Sequence, residues 1–408
     1  MNTEITYPAI LTSLIGLAVV GGVVAGSQTP PLPTDTDAMG AKPAVVVPAT
    51  PAPTAVPTGE SMLRSRSEVV GGPETGYPYA GTVFSDFVAT SYKQAPAAAD
   101  RPEFFAWMQK SYVDSDVRFK GMEKVNDLGQ VLAAIKERYA AASDNDAKTL
   151  LEKQTGAFCH KLIKKTIKHF SLDHGFEFYS VVDHGQRQCF LQSILIAGMM
   201  QRAGMHAGVA MVTRSDKGED SNNGHAVTLV KLSNGNDLLV DDSHKTPFIK
   251  QQGLMVADST GEHYRYVAPR YAADGDQINA YASMGDANST IPTAEVSPLG
   301  ISFLHSQFDY YRGERTPGGF FAKAKTTAGL TDSERFFTRA INEDPGNPLP
   351  MYALGRVQLR LGAKDAARQQ FVQAYQLYSH YGYVPQGEEE ALGLVNAVPT
   401  QPDVLSMR

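Results

Sequence analysis

Cysteine is almost missing from this chain. Two thiols, Cys159 and Cys189, in 408 residues are too few for a disulfide framework or a structural zinc site, so each has to be weighed alone. A basic surplus is missing as well. The net charge of −6 argues against nucleic acid as a partner, since nucleic-acid binders present a basic face. The one basic run, Lys161, Lys164, Lys165 and Lys168, reads as a solvated helix face. No HExxH or comparable spacing links His174, His184, His206 and His244, so neither a metal nor any other cofactor is expected. Asp216, Glu219 and Asp220 resemble a calcium loop only in being acidic and read as a solvated hairpin loop. What remains, 42% apolar and 20% charged residues, is ordinary for globular domains, and the length allows two or three of them.

The N-terminus has its own character. Tyr7 to Gly26 is uncharged and 20 residues long, about what a bilayer span needs. A secretory signal normally opens with Lys or Arg, and here only Glu4 and the amino terminus precede it. The segment reads as an uncleaved membrane anchor; a cleaved signal, with small residues at Val24-Ala25-Gly26, and a buried helix are the alternatives. Ser27 to Met62, rich in Pro, Ala and Thr, has almost no large side chain to bury and reads as a disordered linker. The expectation is a membrane-anchored or exported protein, working outside the cytosol.

Residues from about 83 to 170 read as mainly helical. Asp127–Ser143 places Leu128, Val131, Leu132, Ile135 and Tyr139 at helical spacing behind a capping Asp127. A second helix is expected from Asp146 to His169, with Leu150, Leu151, Phe158, Leu162, Ile163 and Ile167 on its apolar side. A strongly apolar helix follows from Phe190 to Arg202 and ends at Gly204. Strands are expected at Gly208–Thr213, His225–Leu232 and Asp237–Asp241, the last two joined by a two-residue turn at Asn234-Gly235. Another strand fits His263–Val267. Near the C-terminus FFTRAINEDPGNP and FVQAYQLYSHYG align with Phe337 over Phe371 and Ala340 over Ala374. With Leu354-Gly355, Ala367 and Pro345 in place, this resembles one and a half tetratricopeptide repeats, the first copy having a degenerate leading helix around Phe320–Ala328. A plain helical extension is the alternative.

A nucleophilic thiol needs a lowered pKa, a base, and a group that orients the base. Cys189 stands where a helix begins, and the helix dipole favours a thiolate there. His225 opens one strand and Asp241 ends the next. With a two-residue turn at 234–235, Asp241 falls three residues short of the position opposite His225, so a bulge or a curled strand end has to bring imidazole and carboxylate together. Asp242 is the fallback for Asp241. The backbone N–H of Cys189 is one natural oxyanion donor, and Gln186 or Gln188 can supply a second. Cys159 lacks any such surroundings and reads as structural.

The run GQRQC–helix–RAGMHAGVAMV followed by GHAVTLVKLSNGNDLLVDDS resembles the transglutaminase-like superfamily, of papain-type cysteine-protease fold, over about a quarter of the chain. Cys189, Gly204, His225-Ala226-Val227 and Val240-Asp241-Asp242-Ser243 match its pattern of Cys at a helix start, His at a strand start and Asp at the end of the neighbouring strand. Two positions depart from it: Val227-Thr228 stand where an aromatic usually follows the His, and Arg187 stands where Gly usually precedes the Cys by two. The resemblance implies an α+β fold, a Cys-bearing helix packed on an antiparallel sheet, over 63–312. Residues 1–26 would form the anchor, 27–62 the linker, 313–395 the helical repeats and 396–408 a flexible tail. It also implies a Cys189–His225–Asp241 triad acting through a thioester on protein or peptide amides, as hydrolase or transamidase. The repeats would then be a platform for a protein partner. Some relatives have lost the cysteine and only bind, so an inactive scaffold at a membrane is the competing expectation.

Overall fold

The computed structural model describes residues 76–396, apart from 99, 262 and 274. The expected anchor, the linker and all but the first residue of the expected tail lie outside the described residues. Among the described residues no helix is long and apolar enough to cross a membrane.

Four helices open the described chain: α1 (Thr82–Gln94), α2 (Phe104–Asp114), α3 (Leu128–Ala141) and α4 (Asn145–Thr166). Asp127 caps α3 by accepting the Gln130 N–H at 2.8 Å, and Asp144 caps α4 by accepting that of Ala147 at 2.8 Å, each satisfying a backbone donor that has no partner inside the helix. The apolar stripe of α4 was expected to include Leu150. Of that stripe α4 buries Phe158, Leu162 and Ile163, and it also buries Thr149, Glu152, Gly156 and Cys159, which with Ile163 run at spacings of three and four. Leu150 falls off that run and is 57% exposed. The helix also stops at Thr166, before His169, which belongs to β1 (His169–Phe170).

After α5 (Phe178–His184) and β2 (Gln186–Arg187), which pairs in parallel with β1, comes α6 (Cys189–Arg202). Every side chain of α6 from Cys189 to Met200 is buried. A helix that is apolar all round has to be enclosed on all sides. One side packs on β3 (His206–Arg214) and β4 (Asp220–Lys231), the other on α3 and α4. At Gly198 a Cβ would come within 2.7 Å of the Phe84 ring, so α1 also lies against it. Gly204, at φ +82°, turns the chain from α6 into β3.

Strands β3, β4, β5 (Asp237–Val240), β6 (Gly253–Asp258), β7 (Tyr264–Tyr271) and β8 (Gln277–Ser283) form an antiparallel sheet that closes on itself. Its order is β6-β3-β4-β5-β8-β7, and β7 returns to pair with β6. The edge strands β9 (Asp286–Pro292) and β10 (Val296–Ser297) pair with β8 and β6. Alternation sends one face of each strand into the barrel, where Ala210, Val212, Val227, Leu229, Leu239 and Leu254 form a separate core cluster. The fold is mixed α+β. Of Asp216, Glu219 and Asp220, expected in a solvated hairpin loop, Asp220 instead opens β4.

Helices α7 (Ile301–Arg315), α8 (Thr327–Glu343), α9 (Pro348–Arg360), α10 (Lys364–His380) and α11 (Glu388–Leu394) follow. Phe337, Ala340, Ala367, Phe371 and Ala374 are all fully buried. Two glycines show why small residues are needed. A Cβ at Gly355 of α9 would lie 2.7 Å from the Phe371 ring of α10, and one at Gly313 of α7 would lie 2.6 Å from the Phe337 ring of α8. The two helix pairs therefore share one packing contact. The leading helix of the first pair is α7, not the expected Phe320–Ala328 segment, which forms no helix before Thr327. A longer connection, 316–326, hid the correspondence. Helix α7 runs through residue 312, where the first of the expected domains was to end. The helices lie against the barrel through Tyr264, hydrogen-bonded to Asp344, and Tyr266, whose ring lies tilted against those of Tyr378 and Tyr383.

Candidate active site

The hairpin between β4 and β5 decides whether His225 and Asp241 meet. Its turn is not the expected two-residue type. The Gly235 N–H donates to the Leu232 carbonyl at 3.0 Å and the Leu232 N–H to the Asn236 carbonyl at 2.8 Å, with Gly235 at φ +87°. This is a turn followed by a glycine bulge. The extra residue shifts the register by one, so that Thr228 faces Val240 and Lys231 faces Asp237. Asp241 then stands two residues short of the position opposite His225 instead of three. Side chains alternate with period two, so an even stagger leaves both on one face and an odd one would separate them. The bulge that the arithmetic required is thus in the turn. A second irregularity lies before His225, where β3 skips from Val212 opposite His225 to Arg214 opposite Asp220.

His225 Nε2 and Asp241 Oδ2 are 2.8 Å apart. The Cys189 side chain is close enough to the same imidazole to raise its pKa, and its sulfur lies 3.9 Å from the Gly224 carbonyl. The three side chains expected to form a triad are therefore contiguous. Cys189 opens α6, in the first turn where unpaired N–H groups and the dipole favour negative charge. Its side chain is 4% exposed. Burial pulls the His225 imidazole down, but the Asp241 carboxylate, its hydrogen bond and the neighbouring thiol outweigh it and hold the ring well above its ordinary pKa. Burial pushes Asp241 up, and the His225 charge and hydrogen bond, then His244 and the Ser243 N–H, bring it down to about 2. An imidazolium beside an ionised carboxylate is the state these contacts favour.

Asp241 is held from more sides than sequence reasoning found. Gln251 Nε2 donates to Oδ2 at 2.9 Å and the Ser243 N–H to Oδ1 at 2.9 Å. His244 Nε2 stands 3.8 Å from Oδ2. Gln251 is fully buried, and its own carbonyl accepts from the Tyr271 hydroxyl at 2.9 Å. Nothing in the spacing of Gln251 marked it, because it reaches Asp241 across a loop. Asp242, the fallback carboxylate, turns the other way. It accepts from Arg187 Nη1 at 3.1 Å and from Gln192 Nε2 at 2.7 Å. Lys164 leaves the solvated face it was assigned to: it is half-buried beside Asp242, and burial lowers its pKa. Lys161, Lys165 and Lys168 are exposed.

The two glutamines expected at the oxyanion position differ. Gln186 is engaged through Oε1 with the Ser180 hydroxyl at 2.7 Å. Gln188, the residue before Cys189, is 1% exposed, and its Oε1 accepts no hydrogen bond from the described residues. Tyr311 of α7 is buried beside this end of α6, its ring 5.5 Å from that of Phe190. Cys159 is a second free thiol, fully enclosed, and burial pushes its pKa up.

No protein-family profile matches this sequence, and no curated protein matches it. Among solved structures, a match covering 82% of this chain and 73% of the other is described as the crystal structure of menin, revealing the binding site for Mixed Lineage Leukemia protein. The identity is 12% and the TM-score 0.30, too low to carry an argument about fold or function.

Proposed function

We propose that this chain is a transglutaminase-like, cysteine-dependent amide hydrolase or acyltransferase with Cys189 as nucleophile, His225 as acid and base, and Asp241 as the orienting carboxylate. The observation that carries the reading is the Cys189–His225–Asp241 contact at a helix N-terminus. In the reaction, the Cys189 thiolate adds to the carbonyl carbon of a peptide or protein amide and the carbonyl becomes an oxyanion beside the first N–H groups of α6. As the C–N bond breaks, the imidazolium of His225 gives its proton to the leaving amine and a thioester remains. Water or a second amine then attacks the thioester, passing its proton to His225 and releasing the thiolate. The α7–α10 pairs are the tetratricopeptide-like part and serve as a platform for a protein partner, in a chain held at a membrane by its N-terminal segment.

A second reading has its own support. Cys189 is 4% exposed, which suits a scaffold that binds through its helices and does no chemistry. One experiment separates the two. The chain from residue 63 onward is treated with iodoacetamide at pH 7, and the labelled peptides are quantified. A catalytic thiolate makes Cys189 react far faster than the buried Cys159. Equal, slow labelling of both removes the enzymatic reading.

A further inference from the structure

Behind the triad lies a second buried polar cluster that the reaction above does not use. Arg187 Nη1 donates to the Asp242 carboxylate at 3.1 Å and to the Asp242 carbonyl at 3.4 Å. Gln192 Nε2 donates to the same carboxylate oxygen at 2.7 Å. Arg187, Gln192 and Asp242 are 8%, 1% and 3% exposed. His160 of α4 closes the other side, with Nε2 3.1 Å from the His244 carbonyl and 3.6 Å from Asp242 Oδ1.

The chain positions of these groups matter more than their number. Arg187 is two residues before Cys189 and Gln192 is one helical turn after it, so Asp242 is gripped from both sides of the nucleophile. Asp242 is in turn the peptide neighbour of Asp241, whose carboxylate holds His225. The clamp therefore joins the start of α6 to the end of β5, from residues within three positions of Cys189 to the immediate neighbour of Asp241. Among the described residues no strand pairing links those two ends, since β2 pairs with β1 and the β4–β5 ladder stops at Val240. A thiol and an imidazole on separate elements need their relative position fixed to a fraction of an ångström. We propose that Arg187 and Asp242 are positioning residues, whose buried contact, completed by Gln192, sets Cys189 against His225. This rests on the proposed function for its purpose, but its geometry can be read without any substrate.

The test uses Arg187→Met, with Asp242→Asn as a milder second variant should the first fail to fold, and Arg187→Lys as conservative rescue. Arg312→Met is the control. Arg312 is about as buried and bridges Glu177 at 2.7 Å and Asp309 at 2.8 Å, contacts that include no member of the triad or of the clamp. Two readouts are taken on the full chain: the rate of Cys189 alkylation by iodoacetamide from pH 5 to 9, and the titration midpoint of His225 followed by NMR. Arg187→Met or Asp242→Asn is expected to slow alkylation at pH 7 at least tenfold and to move the His225 midpoint downward. Arg187→Lys should recover part of both. Arg312→Met should lower thermal stability and leave both readouts unchanged. The proposal is overturned if the Arg187 and Asp242 variants lose stability as the control does, while the alkylation profile stays within twofold and the His225 midpoint does not move. If the unaltered Cys189 reacts no faster than an ordinary thiol, the proposed function falls, and the His225 midpoint still decides whether the clamp positions the pair.

Discussion

Replacing Asp241 by Asn changes one oxygen into an NH2 group at the most constrained point of the site. Oδ2 accepts from His225 Nε2 at 2.8 Å and from Gln251 Nε2 at 2.9 Å, and Oδ1 accepts from the Ser243 N–H at 2.9 Å. An amide nitrogen at either position points a donor at a donor, so no flip of the Asn rescues all three contacts. Leaving a buried donor unpaired costs about 1–3 kcal/mol. The lowering of this buried carboxyl from its ordinary value to about 2, which includes the His225 and Ser243 contacts, gives a comparable figure of roughly 2 kcal/mol. A destabilisation of about 2 kcal/mol, or several degrees in Tm, is expected. The pH dependence has a definite sign. Asp241 is depressed, so its contribution is present above its unfolded value near 4 and is lost as pH falls through about 2. His225 is raised, so its contribution is present below its ordinary 6.5 and is lost as pH rises through its folded value. The stability gap between the unaltered chain and Asp241→Asn should thus be widest between about pH 4 and 6.5 and narrow on both sides. Calorimetry at pH 3, 5.5 and 9 measures it. With the carboxylate gone, only the neighbouring Cys189 opposes the burial of His225, and NMR should find its midpoint shifted downward. An unchanged midpoint, or a gap that is flat with pH, refutes the assignment of Asp241 as the partner that charges His225.

Other outcomes follow from single contacts. Cys189→Ala removes one sulfur from a helix start and should cost about 1 kcal/mol, while turnover of a peptide amide falls to background. Gly235→Ala forces a side chain into a left-handed φ of +87° and should cost about 1 kcal/mol; denaturant midpoints read it directly. At Gly355→Ala the new Cβ meets the Phe371 ring at 2.7 Å, an overpacking worth about 1–3 kcal/mol. The equivalent change at Gly313 should cost a similar amount, and unequal costs would argue against the shared packing of the two helix pairs. Phe371→Ala, which empties a fully buried site, should lower stability by about 3–5 kcal/mol, with Cys189 alkylation unaffected.

Much of this protein could be read from local patterns. The capping aspartates, the strongly apolar helix from Cys189, the glycine at 204 and the Ala and Phe positions of the helical pairs are each set by the chemistry of residues a few places apart. So is the order Cys, His, Asp, which places a thiol at a helix start and the other two on neighbouring strands. Tertiary structure decided what depends on distant partners. The periodicity of β4 and β5 could not tell a two-residue turn from a glycine bulge, yet that single residue of register determines whether His225 and Asp241 share a face. The leading helix of the first helical pair was hidden by the 316–326 connection, since only packing of Gly313 on Phe337 identifies it. Gln251 and the Arg187–Asp242–Gln192 clamp carried no signal because buried polar contacts join segments far apart in the chain. Closure of the sheet, β7 onto β6, likewise emerges only when the strands are assembled. Local sequence specifies elements through short-range backbone and side-chain chemistry, whereas register, closure and polar partnership are resolved by which buried groups must find a partner once water is excluded.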